Sequence, residues 1–203
     1  MDNRTGEQTA PVEIFQKLHL GCGRRYIEGF YHIDVLDDDH VDRVAPIDDL
    51  SFIPDNCVEL IYACSVLEHF SRHEYMGVLS EWRRVLKPAG ILRLSVPSLE
   101  AALAIYMNHP DFRGDVTSIF GTLLGGQRNQ YDYHKMVFDE ALLTGSLIEA
   151  GFTDCRKWDW RSTDHAHVDD YSQAYLPHMD KENGRHMALN IEATKSEATR
   201  DRP

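Results

Sequence analysis

An α/β fold on a mostly parallel sheet is what this sequence predicts, from three observations. Short apolar runs that read as strands recur at 17–20, 30–35, near 41–45, and at 58–64, 91–96, 152–159 and 187–193. A helical run over 73–86 separates two of them, and further helical segments follow residue 97. Glycine turns and an acid stand at strand ends, where such sheets bind ligands. Strands alternating with helices imply a largely parallel sheet covered on both faces, with right-handed crossovers setting most of the connections.

The first strand, Lys17-Leu18-His19-Leu20, runs into the turn Gly21-Cys22-Gly23. Glycines there let a ligand approach the backbone where a side chain would block it. The second strand ends in Ile33-Asp34-Val35, eleven residues beyond Gly23. An acid at that point can accept hydrogen bonds from two ribose hydroxyls, and Val35 can pack on a base. This is the layout of a nucleoside crevice. A dinucleotide fingerprint is not present, because Tyr26 stands where its third glycine would be and the spacing to Asp34 leaves little room for a crossover helix. The chain has no P-loop.

Next comes the turn Asp49-Leu50-Ser51-Phe52-Ile53-Pro54-Asp55, then the buried-type strand Val58 to Cys64. Ser65-Val66-Leu67-Glu68-His69-Phe70 leaves that strand for the helix, which carries Glu81-Trp82-Arg83-Arg84-Val85-Leu86 before Lys87-Pro88-Ala89-Gly90 turns the chain into the strand at 91–96. The interval between Pro97 and Phe138 interleaves Tyr106, Phe112, Phe120, Tyr131 and Tyr133 with Arg113, Arg128, His134 and Lys135. Its Gly125-Gly126-Gln127-Arg128-Asn129-Gln130 run is too polar and glycine-rich for a helix interior and reads as a loop.

The 203 residues suit one domain over about 14–194, between a disordered lead at 1–13 and a polar tail at 195–203. A net charge of −12 argues against a nucleic-acid substrate, whose phosphates need clustered Lys and Arg. Of the two basic doublets, Arg83-Arg84 reads as a solvated helix face, whereas Arg24-Arg25 is placed to steer a carboxylate into the crevice. Cys22, Cys57, Cys64 and Cys155 form neither a disulfide framework nor a metal-ligand spacing, which favours a reduced, cytoplasmic setting. No apolar run reaches membrane-spanning length, so no membrane partner is expected, and the oligomeric state is open.

The ordered set of glycine turn, strand-end acid, Val66-Leu67-Glu68-His69 and Arg84-Val85-Leu86-Lys87-Pro88-Ala89-Gly90 resembles class I S-adenosylmethionine-dependent methyltransferases over about residues 16–98, and again at Glu149-Ala150-Gly151-Phe152 and Leu189 to Ala193. The resemblance implies a Rossmann-like, doubly wound sheet of seven strands in the order 3-2-1-4-5-7-6, the last antiparallel, with helices on both faces. It implies S-adenosyl-L-methionine as cofactor, held by Leu20, Gly21, Cys22, Gly23, Asp34, Val35, Cys64 and Ser65, with Asp48, Asp49 and Leu50 nearest the adenine amino group. It further makes residues 97–138 a substrate-facing cover, either a mobile lid or a plain surface loop. His19 stands where the family usually carries an acid that organises the turn around the methionine end.

Methyl transfer to oxygen or nitrogen asks for an in-line approach and a base for the acceptor's proton. Histidine suits the second task near neutral pH. His134 in the cover and His69 past the fourth strand are the candidates, His69 being equally able to anchor the helix start. A small-molecule or sugar-like acceptor is expected, the compact Leu-Glu-His and Gly-Gly-Gln arrangement resembling enzymes of cell-surface polysaccharide pathways. A catalytically silent domain for cofactor sensing or partner binding is the alternative. Asp164-His165-Ala166-His167-Val168-Asp169-Asp170 resembles a hydrolase metal motif but lacks its final histidine, so no metal site is assigned there and the run reads as an exposed polar loop.

Overall fold

The computed structural model describes residues 15–108 and 117–197. The expected lead, Phe112, Arg113 and most of the tail lie outside them.

Among the described residues nine strands and four helices follow one another: β1 Lys17–Leu20, β2 Tyr31–Asp34, β3 Arg43–Val44, β4 Val58–Cys64, α1 Tyr75–Val85, β5 Leu86–Pro97, α2 Leu99–Asn108, α3 Thr117–Leu124, α4 Glu140–Glu149, β6 Phe152–Lys157, β7 Tyr175–Leu176, β8 Arg185–His186 and β9 Ala188–Lys195. Seven of the strands form one sheet in the order β3-β2-β1-β4-β5-β9-β6. From β3 to β5 every pairing is parallel, and β9 runs antiparallel to both β5 and β6. With β9 as the seventh strand, this is the expected order.

Side-chain alternation explains how the sheet is covered. On β4, Ile61 and Ala63 join a core with Val78, Leu79, Trp82 and Val85 of α1 and Leu143 and Leu147 of α4. The spacing on α1 puts its apolar stripe on the sheet, and Trp82 Nε1 donates to the Ile47 carbonyl at 2.8 Å. The Tyr75 hydroxyl meets Ser146 Oγ at 3.1 Å, tying α1 to α4 on this face.

The opposite face is built differently. Tyr62 and Cys64 point there, into a cluster with Ile27, Phe30, Trp158 and Val168. Residues 21–30 join β1 to β2 without a helix, as their short spacing requires. The segment after β6 fills the place a crossover helix would take: Tyr62 donates to Asp170 Oδ2 at 2.6 Å, and Trp158 Nε1 donates to the Leu94 carbonyl at 2.9 Å. Helices α2 and α3 pack on Met187, Ala174 and Leu176 beside the β7–β8 ribbon. Helical cover is thus uneven between the two faces, and the ribbon is an element the sequence did not announce.

Three local expectations are corrected. Leu86 is not the last residue of the helix and Lys87–Gly90 are not a separate turn; all five begin β5, admitted by a register shift opposite Val58 and Leu60. Lys195 belongs to β9 and not to a tail, because its ammonium donates to Asn56 Oδ1 and the Leu86 carbonyl, both at 2.7 Å. Arg83 and Arg84 are not a solvated face. Arg84 grips Glu81, Asp55 and the carbonyls of Leu50 and Ile53, and Arg83 donates to the Gly151 carbonyl at 3.1 Å.

Candidate functional site

The carboxyl ends of β1, β2 and β4 bring most of the crevice residues together. Leu20 pairs with Ala63, so the turn after β1 lies against Cys64, Ser65 and Val66. Gly21 has φ +62°, and a Cβ there would sit 2.5 Å from Val66 Cγ2, so only glycine lets the two turns close. Its N–H donates to the Ile33 carbonyl at 2.8 Å. Gly23 donates to Asp34 Oδ2 at 2.8 Å, and Leu36 N–H donates to Oδ1 at 2.8 Å.

Each oxygen of the buried Asp34 carboxylate thus accepts one backbone N–H and keeps a second lone pair, which fits a ribose diol. The nucleoside half of S-adenosylmethionine therefore suits the residues present. Val35 is half-buried beside Asp34. Cys22 and Cys64 are buried neutral thiols: burial, reinforced by Asp34, pushes Cys22 up to about 12, and burial raises Cys64 well above the thiol range. Ser65, at φ +53°, donates its N–H to the Ser95 carbonyl at 2.8 Å.

The methionine half has less support. His19 is buried, with its ring 5.3 Å from Tyr62 and 5.5 Å from His32. Burial, then the neighbouring histidines, lowers it to about 3, so it stays neutral and supplies no carboxylate.

On the adenine side, Leu50 is entirely buried, its N–H donates to Glu81 Oε1 at 2.8 Å and its carbonyl accepts from Arg84 at 2.9 Å. Neither main-chain group of Leu50 is left for a ligand in this geometry. Asp49 is exposed and accepts from Ser51 N–H at 3.1 Å, and Asp48 borders a groove along α1 with His73, Glu74, Gly77 and Glu81. These two acids are not gathered with Gly21 and Asp34 by any hydrogen bond described.

The two histidine candidates are brought together. Their ring centroids lie 5.0 Å apart, edge to face. Lys135 and Met136 both donate N–H to the Glu68 carbonyl, at 2.8 and 3.1 Å, which docks the cover on the turn Leu67–His69. Gly125 makes this possible: at φ +79°, a Cβ on it would run into the Asp132 carbonyl and the His134 ring. His69 lies in its own short turn, six residues before α1, and its Nδ1 donates to the Tyr133 carbonyl at 3.1 Å. That hydrogen bond ties His69 to the cover.

Glu68 is the residue sequence reasoning overlooked, although it stands inside the quoted Leu-Glu-His run. Its side chain is 1 % exposed, the neighbouring Ser65 hydroxyl and the Val66 and Glu68 N–H groups reach neither carboxylate oxygen in full hydrogen-bond geometry, and Oε1 lies 3.9 Å from His134 Nε2. Burial raises its carboxyl to about 8. Burial and the nearby His69 lower His134 to about 4. At neutral pH the carboxyl therefore holds a proton while the imidazole is free.

The Asp164–Asp170 run is a clamp on the second sheet face. His165 is buried and His167 exposed, so the two imidazoles meet different surroundings. Asp170 Oδ1 accepts from Ser172 N–H and Oγ, while Oδ2 accepts from Tyr62. Arg25 Nε donates to the Asp169 carbonyl at 2.9 Å, anchoring the run to the crevice turn.

Comparison with known proteins agrees with this architecture. A methyltransferase-domain family model matches residues 31–94. No curated protein matches the sequence. Among solved structures, a Burkholderia thailandensis 1,6-didemethyltoxoflavin-N1-methyltransferase with bound S-adenosylhomocysteine is 15% identical, with a TM-score of 0.55 over 89% of this chain and 71% of that one. A SAM-dependent methyltransferase from Archaeoglobus fulgidus is 14% identical, with a TM-score of 0.53 over 91% of this chain and 89% of that one. No described helix is long and apolar enough to cross a membrane. The family model covers residues 31–94 and the solved structures share the strand order, so the chain has the fold of the S-adenosylmethionine-dependent methyltransferases, and the crevice at its carboxyl edge suits the nucleoside of that cofactor.

Proposed function

We propose that this protein methylates an oxygen or nitrogen of a small-molecule or sugar-like acceptor, one setting being cell-surface polysaccharide synthesis in the cytoplasm. The observation that carries the reading is the His69–His134 pair over Glu68, docked three residues beyond Ser65 at the edge of the nucleoside crevice. The cofactor brings an activated methyl group, so the chain's task is to align the acceptor, exclude water and receive a proton. Asp34 and the Gly21–Gly23 turn hold the nucleoside. Tyr131 and Tyr133, each nearly half exposed, offer apolar and hydroxyl contact to an acceptor under the cover. With Nδ1 of His134 donating to the Thr122 carbonyl at 3.0 Å, Nε2 is the nitrogen available to accept the acceptor's proton.

The test pairs calorimetric titration of S-adenosylhomocysteine with transfer of labelled methyl to candidate acceptors. His134→Ala should bind the cofactor product as the parent does and turn over about a hundredfold more slowly. Parental turnover in that variant would remove His134 from the chemistry. Absence of cofactor binding in the parent would favour the silent-domain reading, which the neutral His19 supports.

A further inference from the structure

We propose that Glu68, His69 and His134 form a binding site for one divalent transition-metal ion, on the acceptor side of the crevice. Each residue offers a donor atom within 4.8 Å of the other two, the one such group of three or more His, Cys, Asp or Glu among the described residues. One carboxylate with two imidazoles is a donor set that suits zinc, iron, cobalt or manganese, and three protein ligands leave positions open to a substrate.

Three independent features favour a cation there. The first is the poorly satisfied carboxylate: Glu68 is sealed from solvent at 1 % exposure, and the neighbouring Ser65 hydroxyl and the Val66 and Glu68 N–H groups reach neither oxygen in full hydrogen-bond geometry. A buried acid so weakly served by donors is costly, and a bound cation would supply what these neighbours do not. The second is the histidine tautomers. His69 and His134 each place Nδ1 on a main-chain carbonyl, at 3.1 and 3.0 Å, which leaves the Nε2 lone pair of each ring to accept. Metal-bound histidines are held in this way, the outer hydrogen bond setting ring orientation and basicity. The third is reach. Donors around one such ion stand about 3.0–3.5 Å apart, given bonds of roughly 2.0–2.2 Å. The 3.9 Å from His134 Nε2 to Glu68 Oε1 is within a small side-chain adjustment of that.

No competing cation occupies the spot: among the described residues no lysine or arginine pairs with Glu68. An ion held here would present its open positions beside Ser65 and the crevice. That favours acceptors offering one or two oxygens, such as a vicinal diol, whose hydroxyl a metal would make more acidic. The inference rests on the acceptor-side reading above and changes one role in it: with Nε2 of His134 on the ion, an acceptor hydroxyl bound to the metal would lose its proton to solvent and not to His134, and metal binding itself is read without any acceptor.

Purified, metal-stripped full-length protein titrated with Co²⁺ and Zn²⁺ should bind one ion per chain by calorimetry and, for Co²⁺, by visible absorption. His134→Ala and Glu68→Gln should each weaken that binding at least a hundredfold while S-adenosylhomocysteine still binds, which also certifies that the variants are folded. Glu68→Gln keeps the buried shape and decides the matter if His134→Ala fails to fold. No binding by the parent, or equal binding by the folded variants, would overturn the metal site and leave the methyl-transfer reading standing. Loss of cofactor binding in the parent would instead strike that reading.

Discussion

Asp34 holds its own turn before it can hold a ligand. Its two oxygens take the N–H groups of Gly23 and Leu36, which orients the carboxylate toward the crevice with a lone pair spare on each oxygen. Hydrogen bonds to a charged group are worth about 1.5–3 kcal/mol. Asp34→Ala should therefore weaken S-adenosylhomocysteine by about ten- to a hundredfold, and lower the melting temperature because the turn loses its anchor. Asp34→Asn, which keeps one acceptor oxygen, should fall between Ala and the parent in both. Unchanged affinity in a folded Ala variant would move the nucleoside elsewhere. Glu68 teaches the complementary lesson at this scale: a carboxyl next to a candidate histidine drew no notice in the sequence, because nothing in the chain order says that residue 134 folds back to face residue 68.

Among the elements, those set by local periodicity were legible. The buried stripe of α1 and the two-faced burial of β4 are written in the spacing of Val78, Leu79, Trp82 and Val85 and of Ile61 to Cys64. What could not be read was long-range. The β7–β8 ribbon spends two residues on each strand, too few for any pattern, and the exchange of a crossover helix for the clamp around Asp170 depends on Tyr62 finding a partner 108 residues away. Arg84 looked like surface because its partners, Asp55 and the Leu50 and Ile53 carbonyls, lie some thirty positions earlier in the chain. The Gly125–Gln130 run was read as a loop and is one, and the docking of the segment that follows it makes a prediction. Gly125→Ala must relieve contact with the Asp132 carbonyl and the His134 ring and leave φ +79°. It should displace His134 from Glu68, so that turnover and metal affinity fall together while S-adenosylhomocysteine affinity stays within about twofold. A Gly125→Ala enzyme with normal turnover would show that the observed docking is not the working one.

For the molecule as a whole, the second sheet face decides how stability responds to acid. Where a helix is missing, the face is filled by rings: His19 against Phe30, His32 and Tyr62, with His165 4.6 Å from Tyr62. Burial is the largest cause lowering His19, to about 3, and it lowers His32 and His165 in the same direction. A histidine whose folded pKa is depressed takes no proton in the native state while the unfolded chain takes one near 6.5. Between about 6.5 and 3 the unfolded state thus binds more protons, so stability rises with pH; it is fully present above 6.5 and drains away as pH falls toward 3. At about 1.4 kcal/mol per unit, His19 alone accounts for a few kcal/mol over that span, a large share of the stability of an ordinary domain. His19→Phe keeps an aromatic ring among Phe30, Tyr62 and His32 and removes an Nδ1 that has no hydrogen-bond partner among the described residues. Denaturant midpoints at pH 7.5, 6 and 5 should therefore fall steeply for the parent and more gently for His19→Phe, the two curves diverging as pH drops. Parallel curves would mean that His19 picks up its proton in the folded state, which would require the clamp around Asp170 to open well before the molecule unfolds.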